Sequence, residues 1–226
     1  PQTEGPAMLK RGVGPDAPAV TVVEIDGPTR AGQGIEVIDL DAVQLASAPF
    51  RAKRAVVRLD GGILIHQSTN HRVRSRTKTQ LGLVAFVTFG PATKGTVNGL
   101  PIRPDLTLAV EAGTEVVFVP ESGYESISFL FPLEDLREHL NARRREGELR
   151  LPRGVEILPT NAAMARRLFD WGKRLVEAAE RQPALFNDRL EARVAARVEM
   201  VETLLSTLGA TGALEPARPA RGLRSS

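Results

Sequence analysis

The sequence predicts an α+β protein in which an antiparallel β-barrel or sandwich is followed by an antiparallel pair of helices. Two observations support this fold class. Seven short runs with strand character lie between residues 55 and 131, and most are separated by Gly, Pro or Asn turn signals. After Pro132 the apolar residues recur at alternating spacings of three and four, which is typical of amphipathic helices.

The first 50 residues contain the weakest signals. Residues 1–18 are rich in Gly, Pro and small side chains and are predicted to form a flexible arm. Thr21–Ile25 is predicted as a strand, and Asp39–Ser47 as a short helix with Asp39 or Asp41 as its N-cap.

The β region proper is predicted within a domain that spans residues 19–131. Its main strand runs are 55–59, 63–68, 73–79, 83–89, 106–110, 115–119 and 126–131. Asp60-Gly-Gly and Asn98-Gly99 indicate tight hairpins, because both central residues of the favoured two-residue turn have positive φ.

The helical region is predicted over residues 132–209. Leu133–Arg145 has helix-forming residues and ends in three arginines, which suit the negative end of a helix dipole. Pro159-Thr160-Asn161 is a start signal for two longer helices. Their connection, near 181–185, is short, so we expect them to run antiparallel. Residues 210–226 have the composition of a linker.

Both long helices carry a narrow apolar stripe of the kind found at coiled-coil contacts. The first stripe consists of Met164, Leu168, Trp171, Leu175 and Ala178, and the second of Leu190, Val194, Val198, Val201, Leu205 and Leu208. Packing on the sheet accounts for most such stripes. Together with flanking aromatic and valine side chains, however, these two offer more apolar surface than one mutual contact covers. We therefore predict a homodimer interface on the second stripe.

Composition limits the function classes. The chain has 226 residues, of which 42% are hydrophobic, enough to bury a core. No apolar stretch approaches the roughly 18 residues of a membrane span, and the first residues lack a signal-peptide pattern. The absence of cysteine excludes disulfides, thiolate metal sites and thiol nucleophiles. We expect a cytoplasmic protein without a membrane partner.

Catalytic motifs are absent from the sequence. Lys94-Gly95-Thr96 has the residues of a phosphate loop in the wrong order, and Ser122 lacks the flanking glycines of a nucleophile elbow. The three histidines, His66, His71 and His139, have no spacing that indicates a metal site. No catalytic residue, metal or cofactor is predicted, and we do not expect an enzyme.

Positive charge is concentrated between Arg51 and Lys78, where eight cations accompany one anion. Four of them alternate along one predicted strand and so share a face: Arg72, Arg74, Arg76 and Lys78. The favoured interpretation is a solvated face that protects a sheet edge. An anion site is the second interpretation, because guanidinium groups match carboxylate and phosphate. A nucleic-acid surface is the third, although aromatic residues make up only 4% of the chain.

Three segments carry a family resemblance: Ala48-Pro-Phe-Arg-Ala-Lys-Arg54, Gly95-Thr-Val-Asn-Gly-Leu-Pro-Ile-Arg103 and Leu168-Phe-Asp-Trp-Gly-Lys-Arg-Leu175. On these, residues 45–208 resemble the N-terminal regulatory domain of AraC-type bacterial transcription regulators. The resemblance implies a cupin-like barrel that binds a small effector and a helical pair that forms the dimer. It also implies that a C-terminal pair of helix-turn-helix motifs reads DNA.

The chain departs from that family at two points. Only 17 residues follow Gly209, too few for a helix-turn-helix domain, so contact with DNA is expected only through a missing or separate domain. Around His66 the cupin metal pattern, two histidines one residue apart with a following Glu, is absent.

The resulting hypothesis is an effector-sensing and dimerisation domain of an AraC-like regulator that lacks its own DNA-reading domain. The effector would bias the packing of the helical pair. An aromatic wall with a few polar groups is usual for a small-molecule site, and the predicted ligand-binding residues are Arg58, His66, Phe86, Thr88 and Phe118. The alternative is a stand-alone cupin-like binding protein or enzyme.

Overall fold

Two antiparallel sheets face each other, and helices cover the outer face of the larger one. The computed structural model describes residues 17–45, 47, 49–80, 82–145 and 151–209. The predicted α+β class, an antiparallel sandwich followed by helices, is confirmed. Within the described parts of the chain, no helix combines the length and apolar composition that a membrane crossing requires.

The larger sheet has seven strands in the order β1-β3-β4-β11-β6-β9-β12, and the smaller has five in the order β2-β5-β10-β7-β8. The strands are β1 Val20–Ile25, β2 Ile38–Gln44, β3 Ala52–Leu59, β4 Gly62–Thr69, β5 Val73–Thr79, β6 Leu83–Phe89, β7 Gly95–Val97, β8 Leu100–Pro101, β9 Leu106–Val110, β10 Glu115–Pro120, β11 Tyr124–Pro132 and β12 Val155–Pro159. The helices are α1 Leu133–Ala142, α2 Ala162–Arg181, α3 Pro183–Asp188 and α4 Leu190–Gly209.

The predicted strand runs between residues 55 and 131 are all strands in the structure, as is the run predicted at 21–25. The Asn98-Gly99 turn is also confirmed. Both residues have positive φ, 47° and 80°, and they join β7 to β8 with Val97 paired to Leu100. The Asn98 side-chain oxygen accepts a hydrogen bond from Val117 N at 2.9 Å, which ties this hairpin to β10.

The helix predicted over Asp39–Ser47 is wrong, because this segment contains β2. Residues 38–44 alternate between partly buried and exposed positions, as expected for a strand. Seven residues of β2 pair with β5, from Ile38 opposite Thr79 to Gln44 opposite Val73. Pairing with a neighbouring strand therefore overcame the local capping signal of the aspartates.

A strand that the sequence analysis did not predict follows α1. β12 pairs with β9, from Val155 opposite Val110 to Pro159 opposite Leu106, and forms one edge of the larger sheet. The chain thus returns to the sheet inside the range predicted as helical, 132–209.

The start and the orientation of the helical pair agree with the sequence. Asn161 caps α2, its side chain accepting hydrogen bonds from Ala163 N and Met164 N. The helices α2 and α4 have 20 residues each, about 30 Å of length. Residues 182–189 are too few to carry the chain back over that distance. Trp171 Nε1, midway along α2, donates to Glu199 Oε1, midway along α4, at 2.8 Å. The two helices therefore run antiparallel.

Strand alternation divides the apolar side chains of the larger sheet between two cores. Leu64, Phe86 and Phe129 pack against helical residues such as Leu168 and Leu204. Their strand neighbours face the smaller sheet, as with Ile65, Val87 and Leu130. The larger sheet is therefore buried on both faces and lies between the smaller sheet and the helices.

Candidate functional site

A cavity of about 70 Å³ lies between the two sheets. That is room for about two water molecules at their density in the liquid. Apolar side chains from both sheets form much of its wall, including Ile38, Ile65, Val87, Val116 and Leu130. Its polar groups are one amide and a set of hydroxyls: Gln67, Ser75, Thr77, Thr79, Thr114, Tyr124, Ser126 and Ser128. Among the described residues, no Asp, Glu, Lys, Arg or His side chain lines it.

The alternation of β5 explains how small polar residues reach the cavity. Ser75, Thr77 and Thr79 line it, whereas the cations between them are exposed on the outer face. The same period of two thus places hydroxyls inside the sandwich and charges in solvent.

Burial affects two hydroxyl groups of the cavity, those of Thr79 and Tyr124. Thr79 is 7% exposed, and among the described residues its Oγ1 finds no hydrogen-bond partner. Leaving a buried hydroxyl unpaired costs about 1–3 kcal/mol. Burial raises the pKa of Tyr124 to about 12, even though its hydroxyl contacts the side chain of Ser126. Tyr124 therefore stays protonated and can donate a hydrogen bond at neutral pH.

A polar row crosses the larger sheet beside the cavity. Gln67 is the direct cross-strand neighbour of Arg54 on β3 and of Ser126 on β11. Arg54 Nη2 donates to Gln67 Oε1 at 3.2 Å. Arg54 Nη1 donates to the carbonyl oxygens of Ala31 at 2.5 Å and Gln33 at 2.9 Å. Burial lowers the pKa of Arg54 to about 10, which leaves it charged at neutral pH.

Of the five predicted ligand-binding residues, Phe118 lines this cavity. His66, Phe86 and Thr88 alternate with cavity-lining residues on β4 and β6 and so face the helices. Arg58 lies at the edge near β1, where its Nη1 donates to Thr21 Oγ1 at 2.9 Å. The structure therefore does not bring these five side chains together.

Arg54 and Gln67 are not among the predicted site residues. Arg54 stands inside a quoted family segment, yet nothing in the local pattern marks an arginine as buried, since most arginines are exposed. The cross-strand register that places it beside Gln67 depends on the hairpin between β3 and β4, and the Asp60-Gly61 turn is the signal that could have indicated it.

On the opposite face of the sheet, a polar cluster joins the strands to α2. His66 Nε2 and Lys173 Nζ each lie 2.8 Å from Glu125 Oε1. The hydrogen bond with His66, reinforced by Lys173, lowers the pKa of Glu125 from 4.5 to about 2. At the far end of α2, Lys53 Nζ on β3 lies 2.7 Å from Glu180 Oε2.

A second cluster joins α1 to α4. His139 Nε2 lies 3.2 Å from Glu202 Oε1, and Arg145 Nη1 donates to Glu202 Oε2 at 2.6 Å. Burial lowers the pKa of His139. Within the described residues, no group of three or more acidic or histidine side chains is placed to hold a metal ion.

The cation row of β5 is exposed, as predicted, but it does not protect a sheet edge, because β5 lies between β2 and β10. Acidic residues accompany one end of the row. Lys78 has Asp39 and Glu115 as direct cross-strand neighbours, and Arg76 has Asp41. Arg76 Nε also lies 3.3 Å from Glu115 Oε1.

The predicted dimer stripe is divided by the fold. Val201, Leu205 and Leu208 are buried in the core between the helices and the larger sheet. Leu190 is 50% exposed, and Val194 and Val198 are partly exposed. Dimerisation stays a prediction. The part of the predicted stripe that remains exposed lies on the first half of α4.

Comparison with known proteins gives matches at the level of structure. No family model and no curated protein sequence matches the chain. It is similar to the AraC-like transcriptional activator CuxR, with 14% identity and a TM-score of 0.49 over 80% of this chain and 65% of that one. The chain thus matches less than two thirds of that activator.

Two further structures show weaker similarity. A cupin-2 domain from Rhodospirillum rubrum matches with 16% identity and a TM-score of 0.30 over 48% of this chain and 90% of that one. A conserved protein of unknown function from Pseudomonas aeruginosa PAO1 matches with 13% identity and a TM-score of 0.30 over 42% and 56%.

Proposed function

We propose that the chain is the effector-sensing domain of a cytoplasmic transcription regulator of the AraC-like kind, with a cupin-like barrel that binds a small molecule without turning it over. The observation that carries the proposal is the cavity between the sheets, with the hydroxyl of Thr79 buried in its wall and unpartnered.

A ligand would remove the cost of that unpartnered hydroxyl. Buried polar groups in native proteins are nearly always hydrogen-bonded, and the exceptions often mark functional sites. The mixture of apolar walls with a few polar groups is the usual composition of a small-molecule site. Phe118 and Tyr124 supply aromatic surface in the same cavity.

The strands that line the cavity also contact the helices. Gln67 and Ser126 line the cavity, and their chain neighbours His66 and Glu125 form the cluster with Lys173 on α2. A ligand that shifts β4 or β11 would therefore change the seating of α2. Such a shift couples occupancy to the helices if the ligand favours one of two arrangements.

The regulatory part of the proposal rests on the sequence resemblance. In it, the exposed part of the α4 stripe forms a homodimer, and DNA is read by a helix-turn-helix module on a missing or separate domain. The ligand thereby controls how two such modules are held relative to each other.

The cavity is tested with two neighbouring substitutions on β5. Ser75→Leu fills the cavity, whereas Arg74→Leu places the same side chain on the exposed outer face. A library of small metabolites is screened by thermal shift against the wild type and both variants. A ligand at about 100 times its Kd stabilises the fold by about 2.7 kcal/mol.

We expect ligand-induced stabilisation in the wild type and in Arg74→Leu, and its loss in Ser75→Leu. Equal stabilisation of both variants would place the ligand elsewhere and contradict the proposal. Chemical conversion of a bound ligand, followed by NMR, would contradict the non-catalytic part.

A further inference from the structure

Arg54 is a buried cation without a buried anion beside it. Its side chain is 1% exposed. Its three hydrogen-bond acceptors are all neutral: the carbonyl oxygens of Ala31 and Gln33 and the side-chain oxygen of Gln67. Within the described residues, its buried Nε has no hydrogen-bond partner and its guanidinium forms no ion pair. The guanidinium charge is therefore solvated by dipoles alone.

This arrangement is unusual because buried charges in proteins are normally paired with an opposite charge or coordinate a metal ion. Neutral acceptors compensate only part of the lost hydration of an ion. The preceding residue on β3, Lys53, by contrast has an opposite charge beside it in Glu180. The structure thus holds an uncompensated positive charge next to the cavity.

Gln67 connects that charge to the cavity wall. Its oxygen accepts from Arg54, so its amide NH₂ is the group available to a ligand, and Gln67 lines the cavity. Ser126 is its cross-strand neighbour, and the protonated hydroxyl of Tyr124 contacts Ser126. Gln67, Ser126 and Tyr124 therefore bring hydrogen-bond donors to the part of the cavity wall that the Arg54 guanidinium contacts through Gln67.

We propose that the ligand is a short-chain carboxylic acid, bound as the carboxylate, with Gln67 in direct contact and Arg54 supplying the compensating charge from behind it. The inference deepens the proposed function and rests on it. Charge attraction across a few ångströms is strong where water is excluded. Arg54 acts as a positioning residue, since it orients the amide of Gln67.

The walls of the cavity favour an organic acid over an inorganic anion. The space of about 70 Å³ is roughly half of the 150 Å³ that encloses a benzene molecule, so it admits only the smallest organic acids. Ile65, Val87 and Leu130 make much of the wall apolar, which suits a short alkyl chain but not phosphate. Phosphate sites also depend on several charged or backbone donors, and here a single guanidinium contributes.

The test compares propionate with propionamide, which has the same shape without the charge, and with inorganic phosphate. Binding to the full chain is measured by ligand-observed NMR and thermal shift at millimolar concentrations. We expect propionate to bind at least about tenfold more tightly than propionamide, because only the acid compensates Arg54. Phosphate is expected to bind more weakly than propionate.

Variants locate the effect. Arg54→Gln is expected to abolish the preference for the acid, and Arg54→Lys to keep part of it. Arg58→Gln is the matched control, because Arg58 is on the same face of β3 but contacts Thr21 at the sheet edge. It should leave the preference unchanged. If Arg54→Gln fails to fold, the inference is tested by comparing the binding of propionate and propionamide to the wild type and to Arg54→Lys.

Three results would overturn the inference: propionamide or phosphate binding as tightly as propionate, a preference that survives Arg54→Gln, or no binding of propionate at all. Cavity binding of propionamide would leave the proposed function standing. The proposed function fails separately, if no metabolite distinguishes Ser75→Leu from Arg74→Leu.

Discussion

Glu125 is the residue at which the larger sheet and α2 are held together by charge. One of its carboxylate oxygens lies 2.8 Å from both His66 Nε2 and Lys173 Nζ. Two partners on one oxygen keep the carboxylate ionised and explain the lowering of its pKa to about 2. The contact therefore contributes stability that depends on pH.

We predict that Glu125→Gln removes an acid-sensitive part of the stability. The pKa of Glu125 is about 2 in the folded chain and 4.5 in the unfolded chain. Between these two pH values the unfolded state therefore binds more protons than the folded state. The stabilisation is complete above pH 4.5 and is lost as the pH falls toward 2. At neutral pH the variant should be less stable by about 1–2 kcal/mol, because solvent screens part of the Lys173 contact.

Thermal unfolding followed by circular dichroism over this pH range measures the effect. Glu177→Gln, at an exposed position of α2, serves as the control and should follow the wild-type curve. If the Tm of Glu125→Gln falls with acid as steeply as that of the wild type, the cluster does not stabilise the fold.

At the scale of single residues, the sequence predicted which residues share one side of a strand, but not whether that side borders the cavity or the helices. It placed four alternating cations on one face, and the structure shows all four exposed: Arg72, Arg74, Arg76 and Lys78. It selected Phe86 and Thr88 for the ligand site, although these face the helices. On β6 nearly all residues are buried, so neither side of the strand is marked as the cavity side by polarity. Which side of β6 borders the cavity is decided only by how the two sheets and the helices pack together.

At the scale of elements, the packing of α2 on β11 depends on a glycine. Gly172 is buried, and a Cβ at this position would lie 2.7 Å from Ile127 Cγ2 and 3.2 Å from Phe129 Cζ. The helix therefore approaches the strand more closely than any side chain would allow. The neighbouring Trp171 ring stacks on Phe129 with centroids 6.3 Å apart.

We predict that Gly172→Ala destabilises the protein by about 1–3 kcal/mol, because overpacking outweighs the better helix propensity of alanine. Urea unfolding measures the change. Glu177→Ala, exposed on the same helix, should stay within about 0.5 kcal/mol of the wild type. A Gly172→Ala variant more stable than the wild type would show that the helix can move away from the strand without loss.

Elements with one dominant signal were predictable, and those with two competing signals were not. Val73–Thr79 and Leu83–Phe89 have turn residues on both sides and were predicted with their observed bounds. The segment Ile-Asp-Leu-Asp-Ala-Val-Gln, 38–44, alternates like a strand but also offers helix caps, and β5 decides the outcome by pairing with it. β12 has five residues, which follow Gly154 and end with Pro159, and β9 determines its conformation from more than 40 residues away.

At the scale of the whole molecule, the helices belong to the same packing unit as the larger sheet. The core between them includes residues from β1 to α4. The second half of α4 is enclosed in it, with Met200, Leu204 and Leu208 fully buried. A stripe of threes and fours does not distinguish an intramolecular core from a dimer seam, so the sequence could not divide α4 into a buried and an exposed half.

This division leads to a prediction about assembly. If the chain forms a homodimer through α4, its surface is the exposed part of the stripe at Leu190, Val194 and Val198. Val198→Glu should then convert the dimer to a monomer with little change in Tm, because the new charge lies on a partly exposed face. Val201→Glu places a charge in the core and should cost more than about 3 kcal/mol in folding stability.

Sedimentation equilibrium measures the mass of the particle, and circular dichroism measures the Tm. Ser206→Glu is the control, because it adds the same charge at an exposed position of α4 outside the stripe. A wild type that stays monomeric at high concentration, or a Val198→Glu variant that stays dimeric, would exclude this face of α4 as the interface.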